Sequence, residues 1–223
     1  MTRPRAASYD DQRALILARA AELFARRGYT AASMNEVAAA CAVSKATLYH
    51  YMRDKHALLA QIAGEHVARL EALVREVKAL KLAPAEELDT LIRRFTGAYA
   101  DAQHEHRVLT EDVKFLRSDE RAAVESGQRR VVAAFAHAIA RMRPELAPLA
   151  TPLAMLLFGM INWTFTWLKA GGALSHETLA PLVTALFMGG LPAVPAGAGP
   201  ATAAAHGRPG PAPSPRSRAR AGG

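Results

Sequence analysis

The chain has 223 residues and a formal net charge of +8, enough for one or two domains with a substantial core. About half of it is apolar and only 6% is aromatic, a balance that favours helices over sheets. The single cysteine, Cys41, excludes an internal disulfide and fits a reducing compartment, and the N-terminus lacks the apolar core of a signal peptide. We therefore expect a cytoplasmic, helical protein.

The positive charge lies at the two ends of the chain. Residues 1–56 carry nine Lys or Arg against five acids, residues 57–192 carry fifteen of each, and residues 193–223 carry four Arg and no acid. Twelve of the last thirty-one residues are Pro or Gly, which predicts a disordered basic tail. A neutral body between two basic ends indicates contact with a polyanion at the ends.

Apolar residues recur with a helical period along most of the chain, and no alternating strand pattern is present. Ser33 and Glu36 form a capping box, Ser44 and Asp54 are further N-caps, and Ser118 and Ser175 match the same preference. Gly28 and the pair Gly171–Gly172 are predicted stops. The pattern predicts an all-α fold of about nine helices at approximately 10–27, 33–41, 45–51, 55–84, 85–104, 107–116, 119–143, 148–170 and 176–188.

The most apolar window, residues 153–168, is shorter than the roughly 20 residues that a bilayer requires, and it contains Asn162 and two threonines. We interpret it as a buried helix and predict no contact with a membrane.

Two short helices joined by a tight turn, the second rich in polar residues, are typical of a helix-turn-helix. Helical spacing places Leu48 and Met52 on the inner face, while Lys45, Thr47, Tyr49 and His50 project outward. The second helix of such a unit enters the major groove of DNA, where side chains of these types contact base edges and phosphates.

The alternative is an ordinary solvated helix face. Such faces favour Glu and Lys, whereas this one has two tyrosines and a histidine and no acid before Asp54. Lys55 also lies at a helix N-terminus, where a cation is unfavourable unless an anion such as a phosphate compensates it. Both features favour DNA contact.

The stretch GYTAASMNEVAAACAVSKATLYHYMRDKHALL, Gly28–Leu59, resembles the DNA-binding signature of TetR/AcrR-type transcriptional regulators. The resemblance implies an all-helical homodimer whose three-helix N-terminal heads bind a palindromic double-stranded operator. It further implies that the larger C-terminal bodies dimerise and bind small molecules that release the DNA. We therefore expect a DNA-binding head at residues 1–56, an effector-binding and dimerisation body at 57–192, and a tail at 193–223.

The resemblance also assigns roles to single residues of the head. Thr47 is expected against the bases, with Lys45, Ala46 and His50 beside it. Tyr49, Tyr51 and Lys55 match positions that commonly contact phosphate. Ser33 is expected to cap the supporting helix, and Asn35 on its first turn to contact the backbone or a base. The complete expected DNA-binding set is Ser33, Asn35, Ser44, Lys45, Ala46, Thr47, Tyr49, His50, Tyr51 and Lys55.

Two positions depart from the family pattern. Ala42 stands where a turn glycine is usual, so a left-handed conformation there costs about 1 kcal/mol. Ala46 also replaces a frequent glycine and should only stiffen the recognition helix.

The two chain ends offer further basic side chains. Arg3 and Arg5 precede the first helix and can enter the minor groove, although disorder explains them equally well. The tail arginines can add salt-sensitive attraction to DNA.

In the body, the last two helices are apolar nearly all round, as an intersubunit four-helix bundle requires. The segment at residues 158–191 is similar to the branch of the family that responds to acyl-CoA thioesters. That resemblance implies an acyl-CoA or aryl-CoA effector, which needs an apolar tunnel, a few hydrogen-bonding groups and a basic mouth. The predicted ligand-binding residues are Phe115, Arg121, Phe158, Asn162, Trp163 and Trp167; further candidate walls are Phe95, Tyr99, Phe135 and Met155, and further candidates for the mouth are Arg107, Lys114, Arg117, Arg129 and Arg130.

Each set has a simpler interpretation. An aromatic stripe at helical spacing is core or dimer interface more often than pocket, Asn162 can serve as an interhelical hydrogen bond, and most of the arginines can be solvated or paired with acids.

Other functions were weighed against the ligand-responsive repressor. One is a regulator of a drug-efflux or other catabolic operon with a non-CoA hydrophobic ligand, and another is an architectural DNA binder with no effector. Catalysis has little support, since no nucleophile elbow, phosphate loop or cofactor fingerprint is present. His104 and His106 are two residues apart, so on a helix they point to different sides and are poorly placed for a metal. We predict no enzyme activity, no cofactor and no metal.

Overall fold

The computed structural model describes residues 8–168 and 174–195, and within them the regular structure is entirely helical. Nine helices have seven residues or more, and a tenth is a single turn. They are α1 (Tyr9–Arg27), α2 (Met34–Ala40), α3 (Lys45–Tyr51), α4 (Lys55–Ala79), α5 (Pro84–Asp101), α6 (Gln103–Glu111), α7 (Ser118–Met142), α8 (Ala150–Asn162), α9 (Thr164–Trp167) and α10 (His176–Gly190). Short 3-10 turns occupy Val113–Phe115, Pro144–Leu149 and Leu191–Ala193. The expected all-α fold is confirmed.

The first four helices are delimited by local capping groups. Ser8 and Ser33 each form a reciprocal capping box at the start of α1 and α2, while Ser44 and Asp54 accept backbone hydrogen bonds at the start of α3 and α4. Gly28 ends α1 at a φ of 82°, a conformation that glycine adopts without strain. These short-range bonds satisfy backbone amides that a helix terminus leaves unpaired. The starts of these helices can therefore be predicted from the sequence.

The head has its own apolar core, and that core extends into the body. Ile16, Phe24, Val37 and Leu48 are buried at its centre. The same cluster includes side chains of α4 beyond the expected boundary at residue 56, together with parts of α6, α7 and the segment between them: Leu58, Leu59, Ile62, Val67, Val108, Leu109, Leu116 and Val124. Packing is therefore continuous from the DNA-binding helices into the body.

The body core lies between α4, α5, α7, α8 and α10. Three buried rings from three helices meet edge to face: Phe95 and Phe135 with centroids 4.9 Å apart, and Phe135 and Phe158 with centroids 4.8 Å apart. This geometry is favourable beyond the apolar area it buries. Phe95 and Phe135 belong to this closed core and do not serve as ligand walls.

Helices α4 and α7 pack closely because Gly127 lies at their contact. A Cβ atom at this position would overlap a methyl group of Val67. The close approach places His56 of α4 2.6 Å from Glu120 of α7.

The helix boundaries of the body differ from the expected ones in four places. Helix α4 ends at Ala79, and the break between the expected helices 85–104 and 107–116 lies earlier, at Ala102, between α5 and α6. Ser118 is the first residue of α7, with Arg117 before it in the capping position, so the predicted Ser118 cap is wrong. The expected helix 148–170 ends at Asn162, because Trp163 leaves the helical conformation. The predicted Ser175 cap is confirmed.

One helical stretch, Pro144–Trp167, has the length and composition of a membrane span, with a mean hydropathy of 1.5. It consists of a 3-10 turn, the 13-residue helix α8 and the single turn α9. Thirteen helical residues are fewer than the roughly 20 that a bilayer requires. Helix α8 packs on α7 and places Phe158 in the body core, which accounts for its apolar composition.

Three expectations concern residues outside the described part of the chain. They are the minor-groove contacts of Arg3 and Arg5, the stop at Gly171–Gly172, and the disorder predicted for the tail beyond residue 195.

The conformation of Ala42 yields a stability prediction. Its φ is 54°, in the left-handed region, which costs free energy for a residue with a Cβ atom and little for glycine. We expect Ala42→Gly to raise the free energy of unfolding by about 1 kcal/mol, measured by urea denaturation. The matched control is Ala39→Gly, an exposed position inside α2, which should lower it by about 1 kcal/mol. Destabilisation by Ala42→Gly would contradict this account.

Candidate DNA-binding surface and effector cavity

Helix α3 is held in place by one cap and two buried side chains. The Ser44 hydroxyl accepts a hydrogen bond from the Thr47 amide at 3.0 Å, and the two hydroxyls lie 2.7 Å apart. Leu48 and Met52 are buried in the head core. The predicted inner face of this helix is confirmed.

The outer face of α3 is open to solvent. Lys45, Ala46, Thr47, Tyr49 and His50 are all exposed, and no acidic side chain lies on this helix. The Lys45 ammonium lies 5.9 Å from the centre of the Tyr49 ring. The structure therefore presents a continuous surface of hydrogen-bonding groups with one lysine, suited to a duplex groove.

A shallow groove between α2 and α3 gathers several further expected residues. It is lined by Ser33, Asn35, Lys45, Tyr49 and Lys55. The structure thus brings residues from three helices to the same side of the head.

Tyr51 is held differently from its neighbours on α3. It is half-buried, and its ring stacks on Tyr9 of α1 with centroids 4.7 Å apart, while His50 meets the Tyr9 ring edge-on. These contacts pack α3 against α1. The phosphate contact expected of Tyr51 stays a prediction.

The role of Lys55 needs a correction. Its ammonium donates hydrogen bonds to the backbone carbonyls of Tyr29, Thr30 and Ala32 at 2.9, 3.2 and 2.8 Å, and it lies 4.6 Å from the centre of the Tyr29 ring. These carbonyls use its three N–H donors and compensate its charge. The charge of Lys55 is therefore compensated without a phosphate, and its ammonium holds the loop between α1 and α2 in place. The phosphate contact expected of Lys55 stays a prediction.

Lys55 and Lys45 should respond differently to substitution. We expect Lys55→Met to lower the free energy of unfolding by about 2 kcal/mol, because three charge-assisted hydrogen bonds are lost. The control Lys45→Met removes an exposed lysine for which no salt bridge is present among the described residues, so it should change stability by less than about 0.5 kcal/mol while altering operator preference. Thermal unfolding and fluorescence anisotropy measure the two effects, and equal unfolding energies for the two variants would contradict the assignment.

The body contains a cavity of about 600 Å³, a size typical of small-molecule sites. It lies among α4, α5, α6, α7 and α8. The surface of its walls is mainly apolar, although half of the lining residues have polar side chains: Val67, Leu70, Tyr99, His106, Leu109, Thr110, Glu125, Gln128, Arg129, Val131, Val132, Ala133, Thr151, Met155, Phe158 and Asn162.

A buried pair of imidazoles lies beside this cavity, and one of them, His106, is among its lining residues. His66 of α4 and His106 of α6 are 1% and 3% exposed, and the His66 Nε2 and His106 Nδ1 atoms lie 3.4 Å apart. The Tyr99 ring stacks on His106 with centroids 3.7 Å apart. Sequence reasoning missed this pair; His106 has Glu105 and Arg107 as its neighbours on α6, so no apolar pattern marks it as buried.

Burial keeps both histidines neutral. It lowers the pKa of His66 to about 3, with smaller contributions from His106 and Arg69, and it lowers the pKa of His106 to about 4. Burial also raises the pKa of the Tyr99 hydroxyl. Five buried side-chain polar atoms have no hydrogen-bond partner within the described residues, and three of them belong to the histidine pair and the neighbouring Asn162: His66 Nδ1, His106 Nε2 and Asn162 Oδ1.

The predicted ligand-binding residues divide into two groups. Phe158 and Asn162 line the cavity, as do Tyr99 and Met155 from the wider set. Four others do not: Phe115 stacks on Tyr29 of the head with centroids 5.3 Å apart, Arg121 lies outside the lining, and Trp163 and Trp167 are 53% and 51% exposed. Both tryptophans lie outside the lining because α8 ends at Asn162, so the helical stripe that would have joined them to Phe158 does not form, and their contact with a ligand stays a prediction.

The predicted basic mouth is largely neutralised by ion pairs. Arg107 pairs with Glu111, Arg117 with Glu120, Arg130 with Glu71, and both Arg121 and Arg129 with Glu125. Of the six predicted cations, Arg129 alone lines the cavity. The simpler interpretation of these arginines is thus the one that the structure supports.

The histidine pair predicts a pH dependence of stability. An unfolded histidine has a pKa near 6.5, whereas the pKa values of the buried pair are depressed. As the pH falls below 6.5 the unfolded chain takes up protons that the folded chain excludes, so stability falls by about 1.4 kcal/mol per pH unit for each histidine. Urea denaturation between pH 7.5 and 5.5 measures this loss.

The control for this measurement is the double variant His66→Phe, His106→Phe, which keeps the ring volume and leaves the exposed histidines in place. Its stability should vary less steeply with pH over the same range. Identical slopes for the variant and the natural chain would contradict the neutral buried pair.

Two family models match most of the chain. Residues 16–62 match the bacterial regulatory proteins of the tetR family, and residues 81–191 match the tetracyclin repressor-like C-terminal domain. The first match covers most of α1, all of α2 and α3 and the start of α4, and the second covers α5 to α10, which include four of the five helices around the cavity.

Solved structures match over nearly their whole length. A TetR-family transcriptional regulator from Bordetella parapertussis 12822 is 37% identical with a TM-score of 0.77, and the match covers 81% of this chain and 95% of that one. AibR, solved in complex with isovaleryl coenzyme A and operator DNA, is 27% identical with a TM-score of 0.69, and the match covers 78% and 97%.

A curated relative matches over a shorter range. The HTH-type transcriptional activator FasR of Mycolicibacterium smegmatis is 29% identical over 103 residues, which are 46% of this chain and 47% of FasR. The chain thus spans about half the length of this relative.

Regulators of this family bind operator DNA and small-molecule effectors, typically as dimers, and are not enzymes. The match to the Bordetella parapertussis structure covers most of both chains at 37% identity, and the two family models account for both the head and the body. The chain belongs to the TetR family of transcriptional regulators.

Proposed function

We propose that this protein is a ligand-responsive transcriptional repressor of the cytoplasm. A homodimer binds a palindromic operator through α3, and an effector in the body cavity weakens that binding. The proposal keeps the division into a DNA-binding head at residues 1–56, an effector and dimerisation body at 57–192, and a basic tail at 193–223.

One observation carries this proposal: the cavity and the head share α6. His106 and Leu109 of this helix line the cavity, while Val108 and Leu109 are packed in the core cluster of the head. An occupant that displaces α6 must disturb the packing beneath the DNA-binding helices. A change in coupling of roughly 3 kcal/mol would lower operator affinity about a hundredfold.

We propose an acyl-CoA or aryl-CoA thioester as the effector. The structural relative AibR was solved with isovaleryl coenzyme A and operator DNA. A largely apolar cavity of about 600 Å³ with one arginine, Arg129, among its lining residues suits an acyl group followed by a polar arm. The pairing of Arg129 with Glu125 favours the second candidate, a neutral hydrophobic ligand without CoA that controls an efflux or other catabolic operon.

A titration of operator binding separates these candidates. We expect isovaleryl-CoA, octanoyl-CoA or phenylacetyl-CoA to release the operator in gel-shift assays, with free CoA much weaker because it lacks the group that fills the apolar cavity. If neutral hydrophobic compounds released the operator and no thioester did, the effector would be the second candidate, a hydrophobic ligand without CoA. The control Val132→Trp, which fills the cavity, should abolish the thioester response.

The proposed dimer is supported by an exposed apolar surface on α8 and α10. Met155, Leu156, Leu182 and Leu186 are 55%, 65%, 55% and 70% exposed. Large side chains exposed together on neighbouring helices are typical of an obligate interface. Trp163 and Trp167 do not line the cavity, follow α8 directly in the chain and are about half exposed, so they fit this surface.

We expect Leu186→Glu to convert the dimer into monomers in analytical ultracentrifugation, since a buried unpaired charge opposes association. The matched control is Leu80→Glu, which is 51% exposed at the end of α4 and away from this surface. A natural chain that sediments as a monomer, or equal behaviour of both variants, would contradict the proposed interface.

A further inference from the structure

The head contacts the body at a second place, apart from α6. The segment at residues 112–120 runs from the end of α6 into the first turn of α7 and meets the head at two points. The ring of Phe115 stacks on the ring of Tyr29, with centroids 5.3 Å apart and an angle of 29° between the planes. Further along, the Glu120 carboxylate lies 2.6 Å from His56 Nε2. One segment of the body thus holds both the loop before α2 and the start of α4.

Tyr29 transmits the position of Phe115 into the head. Its ring also meets the buried ring of Phe24 edge-on, with centroids 5.3 Å apart, and Phe24 belongs to the head core. The Tyr29 carbonyl accepts a hydrogen bond from the Lys55 ammonium at 2.9 Å. Tyr29 is therefore packed between the head core and the body, and a displacement of Phe115 acts on the loop that leads into α2.

The contact between His56 and Glu120 is partly shielded from solvent, since the two side chains are 21% and 20% exposed. Glu120 is fixed on the body side, where its carboxylate accepts a hydrogen bond from the Arg117 amide at 3.3 Å. His56 lies in the first turn of α4, four residues after the end of the recognition helix α3. A hydrogen bond to an ionised carboxylate is stronger than one between neutral groups. This contact therefore opposes a shift of α4 against α7 at the end of α4 nearest to α3.

We propose that Phe115 and Glu120 are positioning residues for operator recognition. They fix the orientation of the head on the body, and thereby the half-site spacing that the dimer accepts, because two recognition helices must enter successive major grooves at one separation. This inference rests on the proposed function, since it assumes that a homodimer binds a palindromic operator.

A spacing profile of operator binding tests the proposal. The probe is a palindromic duplex selected in vitro with the natural chain, together with duplexes in which one or two base pairs are inserted between the half-sites or removed. Each base pair moves a half-site by about 3.4 Å and also rotates it about the duplex axis, so we expect the natural chain to prefer the selected spacing at least about tenfold in fluorescence anisotropy.

The double variant His56→Leu, Phe115→Ala removes both contacts and leaves the hydrogen bonds of Glu120 within α7 in place. We expect it to prefer the selected spacing by about threefold or less, because a head without these contacts samples several orientations. Phe115→Tyr keeps the stacked ring and should retain the natural profile. The control Leu80→Ala, at a position 51% exposed at the end of α4, should retain it as well.

The single variant His56→Leu keeps the aromatic stack and should show an intermediate profile, so the test does not depend on the folding of the double variant. Residues that only stabilise the fold would, when replaced, lower the affinity for every spacing by the same factor. A loss of that kind, an unchanged preference in His56→Leu and the double variant, or a natural chain without a spacing preference would overturn the positioning role.

The selection step tests the proposed function separately. If no palindromic duplex is recovered with the natural chain, the operator-binding dimer itself is contradicted. If one is recovered and bound with a spacing preference that His56→Leu and the double variant leave unchanged, the proposed function stands and the role of Phe115 and Glu120 is overturned.

Discussion

The proposed coupling between the cavity and the DNA-binding head depends on one short helix that packs on both sides. Helix α6 has nine residues and no side-chain cap at either end, so it has little stability of its own. Its position is set by α1 and α4 on one side, through Val108 and Leu109, and by the cavity wall on the other, through His106. Because packed cores shift between discrete arrangements, a small displacement at the cavity can become a change in head orientation.

The charges of the body and of the head are arranged differently. Its arginines are largely engaged with neighbouring carboxylates, and the buried histidines stay neutral. The outer face of α3, in contrast, has a lysine and hydroxyl groups and no acid. Attraction to a polyanion is therefore directed to the head, while the interior of the body discriminates by shape and by a few hydrogen bonds.

The head could be predicted closely because its limits are set by interactions between residues near in sequence. Ser33 with Glu36, Ser44 with Thr47 and Asp54 with Ala57 delimit three helices, and each pair is visible in the chain. The inner position of Leu48 followed from helical spacing in the same way. Family resemblance added the expected roles of the exposed residues, and the left-handed conformation at Ala42 agreed with that resemblance.

The helix ends and the cavity lining of the body were predicted less well, because they depend on contacts between residues that are distant in sequence. No glycine or proline marks the breaks at Ala102 and Trp163, so periodicity alone extended both helices too far. His66 and His106 lie forty residues apart, and their meeting depends on how α4 and α6 pack. Lys55 had been interpreted through its local helix terminus, whereas its three carbonyl partners belong to the loop after α1.

Hydrogen exchange of α6 with and without operator DNA tests the coupling most directly, because it needs no knowledge of the effector. Linkage requires that, if occupancy of the cavity alters the head, then DNA bound to the head alters the cavity wall. The account predicts that operator binding changes exchange at Leu109 and Thr110 as well as in α1 to α3. Protection confined to α1, α2 and α3, with α6 unchanged, would contradict it.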